Sequence, residues 1–237
     1  MLVGLGITAP TYAVGSRIDK LARPVRLATP TKAHTFRTAQ LTRSLTDKKS
    51  ALRKDVLSRR NQLSEADRIE MSLMAAEHGI RAPVFDPQQF LPGTVVSAFL
   101  PIRSEIDPRP LMAELAKLGA RLCLPVVTSK TEIEFREMVR GAPLVESAFG
   151  TVGPDENAEV LDPQILVMPL SVFDRKGGRI GYGGGFYDRA ITKLQSKGMA
   201  LQLLGMAYSI QEVEEVPMEK HDQYLHGIIT ETEYRGF

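Results

Sequence analysis

Apolar positions fall into two kinds of pattern along the chain, helical spacing early and short unbroken runs later. From Asp47 to about Gln62, good helix formers carry Leu52, Val56 and Leu63 as an apolar stripe, which predicts a helix. Ser64-Glu-Ala-Asp67 is a capping-box-like start for a second helix running to about His78, ended by Gly79 and Pro83. The run 94–100 predicts a buried strand stopped by Pro101, and 108–118 a helix closed by Gly119. Strands are expected near 121–127 and 132–138, then a long irregular connection over 141–163, where six Gly or Pro positions interrupt any period. A strand at 165–169, a glycine-rich loop, a helix at 185–197 and strands near 201–207 and 227–230 complete the set. Strands alternating with helices predict an α/β fold: three layers, with a mainly parallel sheet and helices on both faces. Ligands of such sheets gather at the carboxyl ends of the strands, so Glu105, the glycine loop and Asp222 are expected to converge on one edge.

The glycine loop is the most informative chemistry. Six glycines lie between Gly177 and Gly185, after the apolar run 165–170 and before the helix-compatible 186–194. A strand feeding such a loop into a helix presents unpaired backbone N–H groups to a phosphate. The spelling excludes a dinucleotide fingerprint, because Phe186 stands where Gly181 would require glycine, and no Gly-Lys pair exists to make a P-loop. Arg179 lies inside the loop and offers a two-pronged phosphate contact. Asp188, in the first helical turn, suits a magnesium ion bridging phosphate oxygens. The competing explanation is a tight turn followed by an acid that favours the helix dipole by about 0.3–1 kcal/mol.

Composition narrows the classes. The 237 residues, 43% hydrophobic and 24% charged, suit a globular protein, and no apolar run is long enough to cross a bilayer. The one cysteine, Cys123, sits in an apolar strand and reads as core rather than nucleophile, in a reducing compartment. Residues 1–46 hold seven of the 30 bases and one of the 28 acids, so this leader is +6 and the remainder −4. The body therefore has no charge case for nucleic acid. Three readings of the leader compete: a disordered tail, an organelle transit peptide, or a start codon placed too early. The first and last fit prolines at 10, 24 and 30 best. Four histidines at 34, 78, 221 and 226 make no zinc spacing. Lys49 and Arg53, four apart, share a helical face; by themselves they read as a solvated basic stripe.

Four ordered segments carry a resemblance. Phe173-Asp174 through Arg179-Ile-Gly-Tyr-Gly-Gly-Gly-Phe-Tyr-Asp188-Arg189 looks like the hallmark loop of the 5-formyltetrahydrofolate cyclo-ligase family. Lys49-Ser-Ala-Leu-Arg53 resembles that family's nucleotide-binding helix, and Phe99-Leu100 through Glu105-Ile-Asp107 its folate-binding strand end. Val216-Pro217, His221-Asp222 and 227–231 resemble its C-terminal segment, so the likeness spans about 47–232. It implies a catalytic domain at 47–237 behind a disordered or spurious extension at 1–46.

The resemblance also implies roles. ATP would meet Lys49, Arg53, Arg179, Ile180, Gly181, Tyr182, Gly183, Gly184, Gly185, Phe186 and Tyr187. The folate would meet Leu100, Glu105, Tyr182, Gly183, Gly184, Gly185 and Phe186, with Glu105 accepting from the pterin ring and Leu100 as an apolar wall. Asp188 and Asp222 would hold Mg2+, His221 being a neighbour, and Arg179 and Asp188 would carry catalysis. Tyr182 and Gly184 stand where some relatives have basic side chains, which shifts phosphate charge onto Lys49, Arg53, magnesium and backbone amides. The implied reaction is ATP-dependent cyclisation of 5-formyltetrahydrofolate to 5,10-methenyltetrahydrofolate, by phosphorylation of the formyl oxygen and attack by N10. A cytoplasmic monomer is expected, or an organelle-targeted one if the leader is a transit peptide, with no nucleic-acid or membrane partner. Two rival readings are a different ATP-dependent transfer on the same fold, and a non-catalytic folate- or nucleotide-binding protein.

Overall fold

The computed structural model describes residues 32–146 and 151–237, with side chains from residue 44 onward. The chain divides into units 1–40 and 41–237, and every described side chain belongs to the second. In order, the elements are α1 (Lys32–Arg60), α2 (Glu65–Ile80), β1 (Val95–Ser97), α3 (Arg109–Lys117), β2 (Arg121–Val127), β3 (Ile133–Glu137), β4 (Leu144–Glu146), β5 (Val152–Pro154), β6 (Ile165–Pro169), β7 (Val172–Phe173), β8 (Arg179–Ile180), α4 (Phe186–Ser196), β9 (Gln202–Met206), β10 (Gly227–Ile229) and β11 (Tyr234–Gly236). Neither proline nor glycine occurs between Lys32 and Arg60, so nothing halts α1 at Asp47 and the helix begins earlier than its apolar stripe predicts. Most of the leader lies outside the described residues.

Seven strands form one sheet in the order β11-β10-β9-β6-β1-β2-β3. Its interior pairings are parallel, and β3 and β11 close the edges antiparallel. Strand alternation divides the core in two. Leu122, Leu124, Ile165, Val167, Leu204, Met206 and Ile229 face α2 and α3, with Ala75, Ala76, Leu111 and Leu115. Cys123, Leu166, Met168, Leu203 and Ile228 face the opposite way, onto Ala190, Ile191 and Leu194 of α4. The fold is therefore the three-layer α/β architecture that the pattern predicts. Burial pushes the Cys123 thiol up to about 12, as befits a core residue.

Two expectations need correction. Within 141–163, β4 and β5 pair as an antiparallel hairpin where an irregular connection was expected. Strands of three residues, Leu-Val-Glu and Val-Gly-Pro, are too short to carry a readable period. The glycine-rich stretch, expected as one loop, is divided as well. Its first part is the turn of a hairpin in which β7 and β8 pair antiparallel. The Asp174 carboxylate braces that turn by accepting from the backbone N–H groups of Lys176 (2.8 Å), Gly178 (2.9 Å) and distant Val216 (2.7 Å). Gly177 is needed there, since its φ is +81° and a Cβ would lie 2.8 Å from the Leu225 carbonyl oxygen.

Gly205 in β9 is required for space. A Cβ there would come 2.6 Å from Leu170 Cδ2, 2.7 Å from Ile228 Cδ1 and 2.9 Å from Leu225 Cδ1. Gly205→Ala is expected to destabilise the protein by about 1–3 kcal/mol through overpacking. An unchanged urea midpoint would show that the core gives way freely.

Candidate functional site

Because β1, β6 and β9 run parallel, the segments that follow them leave the sheet at one edge, and α1 lies against them. Leu52 and Val56 dock α1 on Val172, Ile180 and Val216, making a small third core. This docking turns the basic face of the helix inward. Lys49 donates to Asp222 Oδ2 at 2.5 Å and to Glu219 Oε2 at 2.8 Å. One turn on, Arg53 Nε donates 2.8 Å to the carbonyl of Gly181, and its guanidinium lies near Gly183, whose φ is +97°. Burial lowers the Lys49 pKa, but its bonds to Asp222 and Glu219 outweigh this and leave it above the ordinary lysine value. Burial alone lowers that of Arg53.

Gly181 to Gly185 form the second part of the stretch and end as the cap of α4. The first N–H groups of α4, unpaired within the helix, therefore open toward this loop. Arg189 holds the loop from outside, donating to Gly184 O at 2.7 Å and Thr131 O at 2.6 Å while its guanidinium covers the Phe186 ring at 5.3 Å. Arg179 is almost wholly buried. It reaches Asp188 Oδ1 from both terminal nitrogens (3.0 and 2.9 Å) and the Gln223 carbonyl at 3.1 Å. Lys49 and Arg179 thus contact consecutive residues, Asp222 and Gln223, from opposite ends of the sequence.

The segment after β1 supplies the apolar side. Leu100 packs against the main core, and Glu105 is 7% exposed. Glu105 Oε2 accepts from Ile102 N at 2.9 Å, while Oε1 has no hydrogen-bond partner among the described residues. Burial raises the Glu105 pKa; the Ile102 N–H, Tyr182 and the charges of Arg60 and Arg103 pull partly against it. Tyr182 is pushed up to about 12 by burial and by the Glu105 charge. The Tyr187 hydroxyl is buried without a partner among the described residues, and burial, then Glu105, raises its pKa.

The structure brings Lys49, Arg53, Gly181 and Gly183 together, and separately joins Arg179, Asp188 and the segment next to Asp222. Glu219, His221 and Asp222 each offer a ligand atom within 4.8 Å of the others, whereas the sequence reading paired Asp188 with Asp222 for that task. His221 is exposed and stands 3.9 Å from Asp222 Oδ1. Glu219 and Arg60 were missed. Lys49, Arg53, Val56 and Arg60 follow a four-three-four spacing that places them on one face, and this was the available signal for Arg60.

A family model described as the 5-formyltetrahydrofolate cyclo-ligase family matches residues 45–231. The 5-formyltetrahydrofolate cyclo-ligase of Escherichia coli K12 is 30% identical over 181 residues, covering 74% of this chain and 96% of that protein. The Haemophilus influenzae protein of the same name is 32% identical over 140 residues, 56% of this chain and 74% of its own. Among solved structures, the NMR structure of Aquifex aeolicus 5,10-methenyltetrahydrofolate synthetase is similar with a TM-score of 0.66 and 32% identity, covering 79% of this chain and 92% of that one. A Mycoplasma pneumoniae 5,10-methenyltetrahydrofolate synthetase shares the fold with a TM-score of 0.61 at 22% identity, covering 77% and 98%. Among the described residues, no helix is long and apolar enough to cross a membrane.

Proposed function

Because the chain belongs to the 5-formyltetrahydrofolate cyclo-ligase family, we propose that it converts 5-formyltetrahydrofolate and ATP into 5,10-methenyltetrahydrofolate, ADP and phosphate. The observation that carries this reading is the bond from Arg53 to Gly181, which seats a basic helical face directly on the glycine loop. Lys49, Arg53 and the N–H groups opening α4 would hold the phosphates. Glu105 Oε1, buried and lacking a partner among the described residues, is suited to the N–H donors of a pterin, with Leu100 beside the ring.

The chemistry needs no side-chain nucleophile. The formyl oxygen attacks the terminal phosphorus, the bond to the ADP oxygen breaks, and an iminium phosphate forms. N10 then attacks the activated carbon, loses its proton, and the C–O bond breaks to release phosphate. The protein aligns the acceptor oxygen with the leaving ADP and balances charge as it moves. The carboxylates of Asp222 and Glu219 are hard oxygen donors, and Lys49 uses Oδ2 of Asp222, leaving Oδ1 toward His221. Asp222 and Glu219, with Asp188 near the same segment, would hold a magnesium ion there, which would supply positive charge to balance the phosphates.

The test is spectrophotometric detection of the methenyl product with ATP and magnesium present or omitted. Product is expected only when both are supplied; equal cyclisation without ATP would overturn the reading. Lys49→Met is expected to weaken binding of an ATP analogue about tenfold or more, the scale of one lost charge-assisted contact. Unaltered affinity by calorimetry would remove Lys49 from the phosphate site.

A further inference from the structure

Arg60 is 1% exposed and heads the fully buried side chains by volume. Buried arginines usually pair with a carboxylate, yet among the described residues the hydrogen bonds of Arg60 go to neutral hydroxyls and Glu105 acts on it through charge. Nε donates to Ser104 Oγ at 3.0 Å, and Nη2 donates to Tyr182 Oη at 2.8 Å. The guanidinium carbon lies 5.9 Å from the centre of the Tyr182 ring. Ser104 in turn donates to Asn61 Oδ1, which fastens the 100–107 segment to the end of α1. That segment contains Arg103, at φ 56° a non-glycine residue in left-handed backbone, and its neighbour Glu105 interacts with both Arg60 and Tyr182. One buried cation therefore touches the glycine loop on one side and the Glu105 segment on the other.

These contacts join the glycine loop to the segment after β1 through one buried side chain. Tyr182 is 38% exposed and sits between Gly181 and Gly183, the two loop glycines that Arg53 approaches, whereas Ser104 is buried. An anion on the loop would feel the buried charge that Tyr182 contacts, and the same guanidinium holds Ser104, next to Glu105. We propose that Arg60 is a positioning residue that couples the nucleotide and folate subsites, so that each ligand raises the affinity for the other. This rests on the ATP and folate reading above. Linkage requires the two enhancements to be equal.

Calorimetry on the full chain tests it: 5-formyltetrahydrofolate is titrated alone and with saturating non-hydrolysable ATP analogue plus magnesium. The wild-type protein is expected to bind the folate about fivefold or more tightly with the analogue present. Tyr182→Phe deletes one hydroxyl and is expected to bring that ratio close to one, while Arg60→Lys lowers it in part and reduces kcat more than KM. Should Arg60→Lys fail to fold, Tyr182→Phe decides alone. A ratio unchanged in Tyr182→Phe, even with both binary affinities weakened, would make Tyr182 a plain ligand contact and overturn the coupling. Independent binding in the wild-type protein would overturn it too while leaving the proposed reaction standing; absence of binding by either ligand would remove both.

Discussion

Arg179→Ala is expected to lower kcat by at least about 10²-fold, the scale of removing one preorganised donor from a developing charge. The guanidinium lies behind the glycine loop, where it fixes Asp188 with two bonds and the 219–223 segment with a third. Deleting it would remove a cation from the proposed phosphoryl site and leave Asp188 without the guanidinium that pairs with it. It also frees the segment carrying Glu219 and Asp222 from one of its ties. Steady-state kinetics check the outcome, with Arg179→Lys restoring part of the rate because it keeps the charge without the fork. A kcat within threefold of the wild type, an interval well below the expected loss, would confine Arg179 to a structural role.

Glu105→Gln is expected to lower kcat/KM for the folate by roughly 10- to 100-fold, as for a lost hydrogen bond to a charged acceptor. An amide would place N–H groups against the donating edge of the proposed pterin. The pH profile supplies a second signature. With its pKa raised by burial against the pull of Ile102, Tyr182, Arg60 and Arg103, Glu105 ionises above the ordinary glutamate range. The acid limb of kcat/KM should therefore lie higher than for an exposed glutamate, with activity increasing as the carboxylate forms, and should vanish in the glutamine variant. Stability carries the opposite sign. A raised folded-state value contributes stability below the unfolded value, and that stability is lost as pH rises through the folded value. Glu105→Gln should flatten this dependence. A wild-type acid limb that persists in the variant would assign it to another group.

What could be read from the sequence follows from the kind of order each segment has. Strand 165–169 agrees to the residue and β2 falls where a strand near 121–127 was expected, because short continuous apolar runs such as these read as buried strand. The β4–β5 hairpin and β11 were not legible: three-residue strands take their identity from partners, as Tyr234 does from Ile229. In the glycine stretch the spacing pointed to a phosphate loop, and the two-residue strands of the hairpin within it were too short to read; the bond from Val216 to Asp174 comes from a distant segment that no local pattern encodes. Lys49 and Arg53 were found through resemblance, and the docking of Leu52 and Val56 now explains their inward direction. Arg60 escaped because a pair of arginines ending a helix ordinarily faces water. Its contacts with Ser104 and Tyr182, both distant in sequence, accompany its burial.

The central claim is that the glycine loop and the basic face of α1 deliver a phosphoryl group to the formyl oxygen of the substrate. The most direct measurement follows that oxygen. With 5-formyltetrahydrofolate labelled by 18O in the formyl group, one turnover should place the label in the released inorganic phosphate, one atom per methenyl product. Label found in water, with unlabelled phosphate beside it, would contradict the account.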